Sequence, residues 1–81
     1  MLVLIKFLGI QRRITETDRL EVAIKSKAKV ADVLRFLNEQ YPDLPISPKT
    51  CIVTVNKSVA DLQCGLKAKD TISFLPYLAG G

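Results

Sequence analysis

Residues 30–42 have the sequence VADVLRFLNEQYP, and this stretch decides the fold. Its apolar side chains recur at the spacing i, i+3, i+4, i+7 and i+11, which places them on one face of an α-helix. They are Val30, Val33, Leu34, Leu37 and Tyr41. Asp32 lies in the first turn, where a carboxylate favours the helix dipole, and Pro42 ends the helix. The expected N-cap residue, Lys29, has no capping oxygen, which costs about 1 kcal/mol relative to a good cap.

Strand-like segments lie on both sides of this helix. Residues 2–8 are apolar on both faces, as in a central strand, and residues 20–25 alternate cleanly, so the two are expected to pair antiparallel across the polar connection 9–18. Further strands are predicted at residues 51–55, 58–59 and 71–75. This order predicts an α+β fold with one main helix packed across a mixed sheet of four to five strands. That arrangement is the β-grasp, or ubiquitin-like, roll.

The composition excludes several classes of function. The 81 residues allow one domain with one small core, and 48% of them are hydrophobic. There is no histidine, which removes the proton shuttle of a Ser-His-Asp site and the commonest metal ligand. The only cysteines, Cys51 and Cys64, are too few for a disulfide framework or a zinc knuckle, so no metal site is expected. We expect two buried or half-buried thiols in a reduced, cytoplasmic protein.

The net charge of +4 favours acidic partners. The densest basic cluster consists of Lys25, Lys27 and Lys29, which indicates a solvated basic face or a docking site for an acidic protein. Nucleic acid is a less favoured partner, because the basic residues are not interleaved with aromatic ones. No apolar segment approaches the ~20 residues of a membrane span, and Lys6 interrupts the apolar N-terminus, so no membrane partner is expected.

The chain closes with Pro76, Tyr77, Leu78, Ala79, Gly80 and Gly81. Pro76 is expected to end the hydrogen-bond ladder of the last strand, which gives a domain of residues 1–75 and an extended tail of residues 76–81. Glycine has no Cβ, so two terminal glycines let another protein approach closely and leave an unhindered carboxylate. Such a carboxylate can be activated by ATP as an acyl-adenylate and then attacked by a nucleophile. The alternative is a frayed chain end with no chemical role.

Along nearly its whole length the chain resembles the small-subunit family of molybdopterin synthase, a family of ubiquitin-like sulfur carriers. The matching positions are Phe7, Gly9, Ile10, Leu34, Leu37, Tyr41, Pro42, Val55, Asn56, Leu66, Asp70 and residues 76–81. The closing segment is the specific part, since many small folds share the other positions. The chain departs from the family at Lys69, where a glycine usually precedes the aspartate, and at Tyr77, where a second proline is common.

The resemblance implies a carrier that works with partner enzymes. An adenylating enzyme would use ATP to activate the Gly81 carboxylate, and a sulfur donor system would convert it to a thiocarboxylate. Residues 76–80 would then enter the large subunit of the synthase, where the sulfur passes to a pterin precursor. The ATP site and the catalytic groups belong to the partners, so the chain is expected to bind no cofactor itself. Docking to partners is expected at Phe7, Phe74, Lys67 and Lys69.

Three other functions are compatible with the sequence. A sulfur carrier for thiamine synthesis or tRNA thiolation would use the same tail chemistry, although the chain length and the segment Tyr41 to Pro42 favour the molybdopterin branch. A protein modifier would join Gly81 to lysine side chains through an isopeptide bond. A plain interaction or RNA-binding module would use Lys25, Lys27 and Lys29 and no covalent chemistry.

Overall fold

The computed structural model describes residues 1–77. Its elements, in chain order, are β1 (Leu2–Lys6), α1 (Ile10–Thr15), β2 (Arg19–Ala23), α2 (Val30–Gln40), β3 (Cys51–Val55), β4 (Ser58–Val59) and β5 (Thr71–Pro76). Every predicted strand and the main helix are present. The short helix α1 is an addition, because the segment was predicted to be an irregular connection. No helix within residues 1–77 is long and apolar enough to cross a membrane.

The five strands form one mixed sheet in the order β2-β1-β5-β3-β4. β1 and β2 pair antiparallel, as predicted, and β3 pairs antiparallel with both β4 and β5. The exception is the parallel pairing of β1 with β5, in which Ile5 lies opposite Ile72. The first and the last strand of the domain are therefore neighbours at the centre of the sheet.

The apolar stripe of α2 and the inward face of the sheet share one core. Its main members are Val3, Ile5, Phe7, Val22, Val30, Val33, Leu34, Leu37, Val53, Ile72 and Phe74. Tyr41 is partly buried, and its ring packs edge-on against Phe7 with the ring centroids 6.3 Å apart. Full burial of one such side chain stabilises the fold by about 1.5–3 kcal/mol. The predicted helix stripe is confirmed, and α2 covers one face of the sheet only.

The start of α2 is completed by backbone groups from a distant loop. Lys29 occupies the N-cap position without a side-chain cap, as the sequence indicates. The N–H of Val30 donates to the Cys64 carbonyl and that of Ala31 to the Leu62 carbonyl, each at 3.0 Å. The Asp32 carboxylate accepts the Lys29 N–H at 2.8 Å. Tertiary contacts therefore satisfy N–H groups that a capping residue satisfies in other helices, and they offset the predicted cost.

A hydrogen-bonded turn leads into β5. Asp70 is buried, and its carboxylate accepts hydrogen bonds from the Lys67 N–H and the Asn56 amide, both at 2.8 Å. Lys69, which lies between Lys67 and Asp70 in this turn, has a left-handed backbone with φ of 70°. Glycine adopts this conformation without strain, whereas other residues pay roughly 1–2 kcal/mol. The backbone of Lys69 is therefore strained.

Replacement of Lys69 by glycine is expected to raise the free energy of unfolding by about 0.5–1 kcal/mol, the left-handed cost less the extra chain entropy of glycine. Urea unfolding measures the change. Lys67→Gly is the matched control, because Lys67 has an ordinary negative φ and the substitution there brings no relief. A gain in stability of the Lys67 variant equal to that of the Lys69 variant would contradict the strain argument.

Candidate functional site at the root of the C-terminal tail

Strand β5 carries the chain to the candidate reactive group. The carboxylate of Gly81 and residues 78–80 lie outside the described residues, so the predictions made for them rest on the sequence. The structure describes the root of the tail, which consists of Leu75, Pro76 and Tyr77. β5 is flanked by β1 and β3; β3 pairs with it as far as Pro76, whereas β1 pairs with it only as far as Ser73.

On the β3 side, the hydrogen-bond ladder of β5 continues past Pro76, where the sequence predicted that it would end. Pro76 belongs to β5 and lies opposite Cys51, and the Tyr77 N–H donates to the Thr50 carbonyl at 3.1 Å. Strand β5 therefore extends to Pro76, one residue past the predicted end of the last strand. Within residues 1–77, the last backbone bond to β3 is made by Tyr77.

Pro76 does not interrupt this ladder because of its place in the antiparallel alternation. The bonds of Asn56 to Thr71 and of Tyr77 to Thr50 show which residues of β5 face β3. Backbone groups alternate from side to side along a strand, so the nitrogen of Pro76 points toward the β1 side. β1 has ended at Lys6, opposite Ser73, and the missing N–H of proline costs no bond to a strand there.

On the β1 side a buried glutamine replaces the strand. Gln11 of α1 is 0% exposed, and its amide nitrogen donates to the Phe74 carbonyl at 2.8 Å. Its amide oxygen accepts the Leu8 N–H at 3.0 Å. One side chain therefore connects the end of β1 to β5 just beyond the last strand pair. Gln11 was assigned to a polar connection from the sequence, and a buried polar residue gives no periodic signal that would have found it.

An apolar strip on the open face of the sheet leads to the tail. Ile52 and Leu75 lie opposite each other, and Tyr77 follows Leu75 in the same outward row. Leu75 is 38% and Tyr77 55% exposed, and Val59 of β4 lies on this face with 77% exposure. Large apolar side chains grouped on an uncovered face are typical of protein contact surfaces. The strip is therefore a candidate contact surface at the root of the tail.

Two of the predicted docking residues, Phe7 and Phe74, are not on the surface. Phe7 is 1% and Phe74 0% exposed, and both belong to the core. Their side chains point from the sheet toward α2, so a partner cannot contact them while the domain is folded. The aromatic residue that does reach the surface at this end of the molecule is Tyr77, which was predicted as part of the tail.

The two predicted docking lysines are exposed but far from the tail. Lys67 and Lys69 precede β5, whereas the tail leaves its other end. At about 3.3 Å per residue, Lys69 and Tyr77 are separated by roughly 25 Å along the strand. Exposed cations closer to the tail end include Lys6, opposite Ser73, Arg12 and Arg13 on α1, and Lys49 next to Thr50. The structure therefore brings a different basic set to the candidate site.

The other residues with reactive side chains are the two cysteines. Cys51 is buried and its thiol lies 3.4 Å from the Pro45 carbonyl, while Cys64 is partly exposed. Both thiols are free, in keeping with the prediction. Within residues 1–77, no group of three or more histidine, cysteine, aspartate or glutamate side chains could hold a metal ion.

Comparison with known proteins gives consistent relatives. The sequence model of the ThiS family matches residues 5–81. The molybdopterin synthase sulfur carrier subunit of Mycobacterium tuberculosis is 29% identical over 75 residues, which cover 93% of this chain and 90% of that protein. The family match spans the predicted fold and the positions of the terminal glycines together.

Solved structures show the same fold. A chain in the complex of subunits 1 and 2 of molybdopterin-converting factor from Helicobacter pylori is 27% identical, with all of both chains covered and a TM-score of 0.66. The small archaeal modifier protein 1 from Methanosarcina acetivorans is 26% identical, covers 99% of this chain and 96% of its own, and has a TM-score of 0.81. The predicted β-grasp roll is confirmed. Since one family model covers nearly the whole chain, this protein belongs to the ThiS family of ubiquitin-like sulfur carriers.

Proposed function

We propose that this protein carries sulfur on its C-terminus for the synthesis of molybdopterin. The Gly81 carboxylate attacks the α-phosphorus of ATP in a partner enzyme, and pyrophosphate leaves. Hydrosulfide supplied by a donor system then attacks the acyl carbon of the adenylate, and AMP leaves, which gives a thiocarboxylate. The thiocarboxylate passes its sulfur to a pterin precursor in a second partner, the large synthase subunit.

One observation carries this proposal: the family match extends from β1 to Gly81. The matched range therefore includes the positions of the terminal glycines. The M. tuberculosis relative is named as a sulfur carrier subunit of molybdopterin synthase, which favours a pterin precursor as the sulfur acceptor. The H. pylori relative was solved as a complex of two subunits, which supports a large-subunit partner for this chain as well.

The geometry at the root supports a carrier role for physical reasons. A carboxylate must be held within about 3–3.5 Å of its reaction partner in an adenylating site, so the start of the tail has to be well defined. The bonds of Tyr77 to Thr50 and of Gln11 to Phe74 define it from both sides. The strip of half-buried Ile52 and exposed Leu75 and Tyr77 gives each partner a surface to hold while the tail enters its active site.

Intact-mass measurement tests the proposal. The purified chain is incubated with its adenylating enzyme, ATP and a sulfur donor, and a mass increase equal to the exchange of one oxygen for one sulfur is expected. Fragmentation should place the change on Gly81. Omission of ATP is the control. An unchanged mass in the complete mixture, with active partner enzyme, would refute the carrier function.

A second candidate function is supported by the likeness to the archaeal modifier. In that case the Gly81 carboxylate would be joined to lysine side chains of other proteins. The two functions share the adenylation step and differ in the nucleophile that follows, which is an amine in the modifier and sulfur in the carrier. High-mass conjugates in cell extract that disappear with Gly81 would show modification.

A further inference from the structure

Strand β2 lies at one edge of the sheet, at a distance from the tail. Within residues 1–77 it pairs with β1 alone, so its other side has no partner strand. The opposite edge is the two-residue strand β4, which is too short to template a long pairing. Because β2 runs antiparallel to β1, its Ala23 end lies at the end of the sheet away from Tyr77.

The alternation of the ladder shows which backbone groups face outward. The Ile24 N–H donates to the Met1 carbonyl, so Ile24, Val22 and Leu20 direct their backbone groups to β1. The N–H and carbonyl groups of Glu21 and Ala23 therefore point away from the sheet. The Arg19 N–H and carbonyl are both hydrogen-bonded to the Thr17 hydroxyl. Only the second half of β2 therefore has free backbone groups at this edge.

An apolar groove adjoins this free edge. It lies between β2 and α2 and has a volume of about 400 Å³. Val22, Ile24 and Ala28 contribute apolar lining, and Phe36 of α2 stands beside them with 36% of its surface exposed. A strand added to β2 would direct alternate side chains toward this groove. Edge and groove together have the form of a site for an extended peptide.

The rim of the groove is cationic. Lys25, Lys27 and Arg35 line it, against a single carboxylate from Asp32, which lies 3.5 Å from the Arg35 guanidinium. Lys25 and Lys27 are part of the basic cluster noted in the sequence, and the tail chemistry does not use them. An excess of positive charge beside a free strand edge favours an acidic partner and opposes the pairing of two copies of this chain.

We propose that the free edge of β2 binds an extended segment of a partner protein, with alternating apolar side chains flanked by acidic residues, as a sixth strand of the sheet. Its backbone pairs with Glu21 and Ala23, its apolar side chains enter the groove beside Phe36, and its carboxylates meet Lys25 and Lys27. The site lies at the other end of the sheet from the tail. Such a partner therefore binds while the tail is in use, and the proposal is independent of the sulfur chemistry.

Amide NMR of the full chain tests this directly. The probe is a synthetic peptide of about ten residues in which alternating valines are flanked by glutamates on both sides. We expect saturable shifts at residues 20–25 and Phe36, with hydrogen exchange of the Glu21 and Ala23 amides slowed at least about tenfold by the new bonds. Shifts centred on Leu75 and Tyr77, or no saturable shifts, would overturn the proposal.

Variants and competitors separate the alternative occupants. Lys25→Glu combined with Lys27→Glu should weaken peptide binding at least about tenfold, whereas Lys57→Glu in the β3–β4 turn should leave it unchanged. A version of the peptide with lysines in place of glutamates should bind correspondingly less. Equal binding of that peptide, concentration-dependent shifts of the same amides without peptide, or tighter binding of a mixed-sequence RNA oligonucleotide would each overturn the assignment.

Discussion

Removal of Gly81 is expected to lower the rate of thiocarboxylate formation by at least about a hundredfold. The deletion leaves a carboxylate on Gly80, but it withdraws that group by one residue, which is roughly 3.5 Å of extended chain. A displacement of about 1 Å already costs some hundredfold when reacting atoms must be aligned. The rate is measured by intact mass over time with saturating adenylating enzyme, ATP and sulfur donor.

Gly81→Ala is the matched control, because it keeps the length of the tail and adds one methyl group beside the carboxylate. We expect a smaller loss than for the deletion, and thermal unfolding of both variants separates a folding defect from a reach defect. If the shortened chain accepted sulfur as fast as the full one, the position of the carboxylate would not matter, and the presentation argument would fail.

Replacement of Gln11 by alanine is expected to lower the free energy of unfolding by about 2–5 kcal/mol. The change leaves the Leu8 N–H and the Phe74 carbonyl without their partner, at about 1–3 kcal/mol each, and adds a cavity. Small domains have only about 5–15 kcal/mol in total, so the loss is a large fraction. Urea unfolding at neutral pH measures it.

Two further variants identify the cause. Gln11→Met keeps most of the volume and removes both hydrogen bonds, so it should still cost about 2 kcal/mol or more. Arg12→Ala changes the exposed neighbour on the same short helix and should stay within about 0.5 kcal/mol of the parent protein. A methionine variant as stable as the parent would show that packing alone explains the position.

The main helix and the strands were predictable because their signals are periodic. The stripe from Val30 to Leu37 and the alternation of residues 20–25 follow from which side chains can be buried together. The turn at Asn56 was predictable too, because the side chain tolerates the positive φ that it adopts, 52°. These features depend on neighbours in sequence, and a single chain carries that information.

What escaped prediction depends on distant contacts. α1 has six residues, too few for a periodic signal, and its key side chain is a glutamine that resembles a surface residue until its partners are known. Pro76 was predicted to stop the ladder, and it stays in β5 because of the direction in which its nitrogen points. Phe7 and Phe74 were assigned to docking as well as to the inward face, and only their burial decides between the two.

Because β5 lies between β1 and β3, the sheet cannot form until the C-terminal part of the chain has been synthesised. Ribosomes add residues from the N-terminus at about 5–20 per second, so β1 waits without its parallel neighbour until the last segment emerges. A prematurely terminated chain lacks the strand between β1 and β3 and cannot close the sheet. Cellular proteases remove such unfolded fragments. The folded pool therefore consists of chains synthesised at least as far as the root of the tail.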